Sequence, residues 1–83
     1  YDAYLHDIGR IFSQVKRKIK KGGLVAIEAS NLKDNAGTVT TLAWDICREV
    51  RQVLTYRGEI VFCWEDGYGF GYDHSYCLLF ADE

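Results

Sequence analysis

Apolar residues fall at Tyr4, Leu5, Ile8, Ile11, Phe12, Val15 and Ile19. Spacings of one, three and four predict a helix from about Asp2 to Lys20, with Arg10, Gln14, Arg17 and Lys18 on its polar face. The basic turn Lys20-Lys21-Gly22-Gly23 follows, and either glycine can supply the left-handed residue that ends a helix. Next comes Leu24–Ala29, nearly all apolar, the pattern of a strand buried on both faces inside a parallel sheet. It ends in Ser30-Asn31. A helix feeding a strand in this way is the wiring of an open α/β sheet, whose ligands sit beyond the carboxyl ends of the strands. Asn31 and the loop after it are therefore expected at the functional rim.

Residues 30–40 are polar and turn-rich, a loop longer than the about 2–6 residues usual between strand and helix. Thr40 or Thr41 can cap a second helix from about Leu42 to Thr55, with Leu42, Ala43, Ile46, Val50, Val53 and Leu54 as its buried stripe. Arg57-Gly58 is expected to end it. Glu59–Glu65 has the β-branched and aromatic content of a strand, and Ser75–Phe80 is a last strand. Between them lies a glycine-aromatic loop, Asp66–His74. No helix separates these two strands, so they pair antiparallel. The order α-β-α-β-β predicts an α/β fold with a three-stranded mixed sheet. Both helices are expected on one face.

The chain has 83 residues, 48% of them hydrophobic, enough for one small domain or part of one. Folding a chain this short buries roughly 60–65% of the surface exposed when it is unfolded, so its stability depends on something else covering its apolar faces. The first residue is Tyr1 and there is almost no lead-in to the first helix. Residues 1–83 are thus expected to be a single unit, the C-terminal part of a larger domain. An unpaired edge and an uncovered face on the first strand call for a second copy of the chain or for further residues of the same protein.

A net charge of −2 excludes a global basic field of the kind that drives non-specific nucleic-acid binding. Basic residues (Arg10, Lys16, Arg17, Lys18, Lys20 and Lys21) gather in the first quarter and acidic ones in the last third. That distribution suits cations at a helix C-terminus, with a phosphate-contacting patch as the functional counterpart. Cys47, Cys63 and Cys77 are an odd number at wide spacing, which argues against a zinc site or a disulfide framework. No apolar run approaches the ~20 residues of a membrane span, and no signal peptide is visible. A cytoplasmic protein is expected.

No nucleophile–base pair, metal signature or phosphate loop can be read in the chain. Gly67, Gly69 and Gly71 lack the spacing of a dinucleotide-binding loop and no helix pattern follows them. They alternate with Tyr68, Phe70 and Tyr72, which can offer flat stacking surfaces to a base or fold back onto the sheet. His74, beside Asp73, is either a hydrogen-bonded structural residue or part of the substrate rim. Asn31 is the leading single polar candidate, with an Asx-turn role as its plain counterpart. His6 reads as a surface or interface residue.

The run Ile11–Ile27 (IFSQVKRKIKKGGLVAI) resembles the helix–"LKPGG"–strand segment of Rossmann-like AdoMet-dependent methyltransferases, with Lys21 where proline is usual. The ending His74-Ser75-Tyr76-Cys77-Leu78-Leu79-Phe80 is similar to the "E-Y-I-L-V-F" close of amino-group DNA methyltransferases, which modify N6 of adenine or N4 of cytosine. Here His74-Ser75 stands in place of the usual acidic residue. The element order matches the C-terminal half of that family, whose last two strands form a reversed hairpin; with the missing crossover helix, the resemblance implies that the last strand lies between the other two, antiparallel to both. The resemblance implies a nucleic-acid substrate and S-adenosylmethionine as cofactor of the whole protein. Asn31, Tyr68, Phe70, Tyr72 and His74 would border the target base.

The family's cofactor loop is missing from these residues. Its Asp/Asn-Pro-Pro-aromatic catalytic motif cannot be present in a chain without proline. By resemblance this is the substrate-side half, holding no catalytic residue and no cofactor by itself. The reading from another class is a small non-enzymatic module that dimerises through its first strand and binds protein or single-stranded nucleic acid through the aromatic loop.

Overall fold

The computed structural model describes residues 1–63 and 74–82. Helices α1 (Asp2–Lys18) and α2 (Leu42–Val50) cover one face of a sheet built from β1 (Leu24–Ala29), β4 (Thr55–Cys63) and β5 (His74–Ala81). A small hairpin, β2 (Leu32–Lys33) with β3 (Val39–Thr40), joins β1 to α2. The sheet order is β1-β5-β4. Ala26 faces Leu79 in one ladder and Ile60 faces Cys77 in the other, both antiparallel. The expected central, reversed place of the last strand is what the structure has. The expected mixed sheet is not: β1 and β4 run parallel to each other but are held apart by β5, so every ladder is antiparallel.

β1 differs from expectation as well. Its residues alternate between half-buried and exposed, with Val25, Ile27 and Ala29 towards the helices and Leu24, Ala26 and Glu28 outward. Leu24 is 76% exposed. Among the described residues β1 is an edge strand covered on one face. The core therefore lies on one side only. Leu78 and Phe80 of β5 are fully buried and meet Leu5 of α1, Ile46, Cys47 and Val50 of α2, and Leu54. Ile8, Phe12, Val25, Ile27, Tyr56 and Tyr76 pack around them. The opposite face carries Leu24, Ile60 and Phe62, all exposed, around the half-buried Cys77 and Leu79.

α1 ends two residues earlier than the periodicity predicts, and glycine is not what stops it. Ile19 takes an extended conformation while its N–H still reaches the Val15 carbonyl, and its side chain turns into the core. Lys16, Arg17 and Lys18 fill the last turn, where cations favour the helix dipole. The glycines serve the turn that follows. A Cβ on Gly23 would lie 2.8 Å from the Lys20 carbonyl oxygen, so a side chain cannot be fitted there without moving backbone. Backbone bonds from Gly22 N–H to Asp82 O and from Asp82 N–H to Gly23 O tie this turn to the end of β5.

α2 ends at Val50, not near Thr55. Gln52 N–H and Val53 N–H bond three residues back in a tight turn, and Thr55 and Tyr56 already belong to β4. Arg57-Gly58 is therefore not a helix stop. The register slips between Tyr56 and Gly58, and Gly58 has φ of +130°, so the pair is a bulge in β4 that needs glycine. The Tyr56 hydroxyl donates to Glu59 across the bulge. Burial, then this hydrogen bond, pushes the Tyr56 phenol up to about 12. Residues 30–40, expected as a loop, hold the β2–β3 hairpin. Asp34 Oδ1 accepts from the N–H groups of Ala36 and Thr38, both at 2.9 Å, and so organises its turn.

Two measurements check this packing. Leu78→Ala is expected to lose about 2–5 kcal/mol in urea unfolding, as a fully buried leucine in a core does, while Val61→Thr on exposed β4 stays within about 0.5 kcal/mol. The second is the titration of Tyr56. Its folded pKa lies above the ordinary value of 10.0, so the protonated phenol favours the fold. That contribution is present below pH ~10 and is lost as the pH rises towards ~12. The ultraviolet titration of the protein minus that of Tyr56→Phe should show one phenol with a midpoint near 12; a midpoint near 10 would remove the hydrogen-bonded clasp.

Candidate functional site

The carboxyl end of β1 is where several elements converge. Ser30 and Asn31 leave the strand there and the β2–β3 hairpin follows. α2 begins there, and β4 ends where β5 starts, with Cys63 opposite His74. Asn31 is 8% exposed, and its Oδ1 accepts from the N–H of Ala43 at 3.0 Å. This is a helix cap supplied from well before the helix begins, across the whole β2–β3 hairpin. Of the two threonines expected to cap α2, Thr40 ends β3, and Thr41 holds the N-cap position but donates its hydroxyl to Asp45 Oδ1 at 3.1 Å. Asn31 thus lies where β1 ends, and its oxygen is spent on fixing the start of α2.

Asp45 collects three groups in the first turn of α2. Thr41 and Tyr1 donate hydroxyls to it, and Arg48 lies 3.8 Å away. Burial and the Asp45 hydrogen bond push the Tyr1 phenol up to about 12. On the other face of the sheet the Ser75 hydroxyl donates to Glu28 at 3.4 Å. A carboxylate thus reaches the start of β5 from the neighbouring strand.

His74 Nε2 and the Tyr76 hydroxyl lie 3.1 Å apart, and the two rings meet edge to face at 5.3 Å. The other side of this small cluster is Trp44, whose ring centroid is 4.7 Å from that of Tyr76. Trp44 was not among the residues singled out from the sequence. The signal was available: the buried stripe Leu42, Ala43, Ile46, Val50 leaves Trp44 off the core, and a large aromatic there is 41% exposed. Tyr68, Phe70 and Tyr72, together with the three loop glycines, lie outside the described residues.

The basic cluster lies at the other end of the sheet. Lys16–Lys18 end α1, and Lys20 and Lys21 precede β1, so the six-residue strand separates them from Asn31 by about 20 Å at ~3.3 Å per residue. They do not share a site with the rim. His6 is exposed on α1 and lines a groove of about 480 Å³ between α1 and α2 with Asp2, Gly9, Arg10, Arg48 and Glu49.

Among the described residues there is no cluster fit to hold a metal ion, and no helix is long and apolar enough to cross a membrane. Cys47 is buried, which pushes its thiol up, Cys77 is half-buried and Cys63 is exposed; none is bridged. Nor do the described residues fit a nucleoside cofactor. β1 is followed by a capping asparagine and a hairpin, not a glycine loop. The rim carboxylates of Glu28 and Asp45 already hold Ser75, Thr41 and Tyr1.

No family model and no curated protein matches the sequence. The fold does have counterparts. Two crystal structures of TTHA0409 from Thermus thermophilus, described as a candidate DNA modification methylase, superpose on 99% of the chain with a TM-score of 0.84. Identity is 22% with the selenomethionine form and 21% with the form complexed with S-adenosyl-L-methionine. The chain spans 38% of the length of that protein.

The role of Asn31 yields a direct test. Asn31→Ala removes the acceptor for the Ala43 N–H and should cost about 1–2 kcal/mol in thermal or urea unfolding, while Asn31→Asp keeps an acceptor oxygen and should lose less than about 0.5 kcal/mol. Equal losses in both variants would show that the amide does something other than cap α2.

Proposed function

We propose that this chain is the substrate-side part of an AdoMet-dependent methyltransferase that modifies an exocyclic amino group of a nucleic-acid base. The observation that carries the proposal is the superposition of nearly the whole chain on 38% of a candidate DNA modification methylase, one of whose structures holds S-adenosyl-L-methionine. The sequence resemblance at Ile11–Ile27 and His74–Phe80 points the same way. In this reading the protein uses a Rossmann-like sheet of which β1, β5 and β4 are one side. The bare face around Leu24, Ile60 and Phe62 is covered by the cofactor-binding part of the same protein, which acts in the cytoplasm.

The chain's own residues do the work of shape. Asn31 anchors α2, and the hairpin and the Cys63–His74 end of the sheet form the border of the base site. His74, held by Tyr76, with Tyr68, Phe70 and Tyr72, would flank the base. Bound S-adenosylmethionine would supply the methyl group from outside this segment. In this reading the chemistry belongs to the remainder of the protein.

Two experiments test this. Calorimetric titration of the 83-residue chain with S-adenosylmethionine is expected to give no appreciable heat; micromolar binding would mean that the cofactor site has been misplaced. The protein incubated with DNA and S-adenosylmethionine is expected to yield N6-methyladenine or N4-methylcytosine after digestion to nucleosides and mass spectrometry. Methyl groups found only on C5 of cytosine would contradict the amino-group assignment, and none on nucleic acid would contradict the substrate class.

A further inference from the structure

Trp44 occupies an unusual position. It lies in the first turn of α2, off the buried stripe, with one side of its ring system resting on Tyr76 at 4.7 Å and 48°. Tyr76 is in turn held by the edge of His74 and by its hydrogen-bond partner there. The indole is therefore backed by a fixed ring while 41% of the residue remains open. The start of α2 is anchored from outside by the Asn31 cap and by the Tyr1 hydroxyl on Asp45. An aromatic surface fixed before binding loses little conformational entropy when something stacks on it.

The surroundings select what stacks. Asp45 is adjacent in sequence and has Arg48 3.8 Å away, so the charge beside the cluster is paired. The basic residues of α1 are at the far end. A paired border supplies no net charge to hold a phosphate, while the open face of the indole offers a stacking surface to a neutral heterocycle. The ladder partners Cys63 and His74 lie at this same end, and the Tyr68–Tyr72 stretch falls between them in the sequence.

We propose that Trp44 is a base-stacking residue, which takes the face of an unpaired nucleobase against the backing of Tyr76. This rests on the nucleic-acid reading given above and adds to it a residue that the methyltransferase resemblance does not assign. Trp44 positions the strand and takes no part in methyl transfer.

The test uses the protein and a single-stranded oligodeoxynucleotide of about 12 nucleotides, within the site sizes known for such binding, carrying 5-iodouracil. Irradiation is expected to place the adduct on tryptic peptide 34–48, in which Trp44 is the one aromatic residue. Trp44→Leu keeps apolar packing on Tyr76 and removes most of the stacking face. It should weaken oligonucleotide binding about tenfold, while Trp44→Phe keeps most of the affinity and an abasic oligonucleotide of the same length binds both variants and the parent alike. An unmodified 34–48 peptide, or undiminished binding by Trp44→Leu, overturns the role of Trp44 while DNA methylation by the same protein leaves the broader function standing. Failure of the parent protein to bind any oligonucleotide or to methylate DNA removes that function and this inference together.

Discussion

Leu78 and Phe80 lie beneath both helices because β5 runs backwards between two strands that never touch. That reversal is the constraint on which the rest of the chain depends. Both ladders of the sheet are ladders with β5, and the core cluster closes around its inward side chains. Without β5, β1 and β4 would be two isolated strands, each too poorly supported to stand in water. The helices pack on each other as well, with Leu5 of α1 meeting Ile46, Cys47 and Val50 of α2 above this strip of sheet. Burying two fully enclosed side chains on one strand is worth several kcal/mol, on the scale of about 1.5–3 kcal/mol each, which is a large share of the stability of a small domain.

The site follows from the same arrangement. Because β1 and β4 point the same way and β5 the opposite way, one end of the sheet gathers the exits of two strands and the entry of the third. α2 must start at that end to return across the sheet, and Asn31 holds its start. Trp44, Tyr76 and His74 are neighbours because of this geometry; in sequence all of β4 and the glycine-aromatic stretch lie between them. The opposite end holds the glycine turn, the basic end of α1 and Asp82. The lysines that end α1 and precede β1 are thereby kept at the far end of the strands from the ring cluster.

Much of this was legible in the residues. The 3.6-residue pattern located both helices. The missing crossover between the last two strands made them antiparallel neighbours, and the reversed hairpin of the family they resemble put β5 in the middle. What could not be read was where local preference yields to packing. Ile19 leaves the helix because its side chain is needed in the core, and no periodicity shows that. Arg57-Gly58 looks like a helix stop, yet the same glycine serves a bulge in a strand that began earlier. Leu24–Ala29 is apolar on both faces, but the described residues cover only one of them. Asn31 was readable as the residue that closes β1, while its cap to Ala43 reaches across the hairpin and leaves no trace in a local motif. Trp44 was passed over because helical reasoning attends to the stripe and not to the large residue beside it.

The central strand is also the last of these elements to be synthesised. On the ribosome, α1, β1, the hairpin, α2 and β4 all emerge before the strand that joins them, so the sheet cannot assemble until residues 74–81 are clear of the exit tunnel. Through that interval the apolar residues of β1 and β4 are both exposed, with open hydrogen-bonding edges, the condition in which nascent chains associate wrongly. Lys20 and Lys21 before β1 and Arg57 and Glu59 within β4 put charge beside these edges, which opposes edge-to-edge pairing.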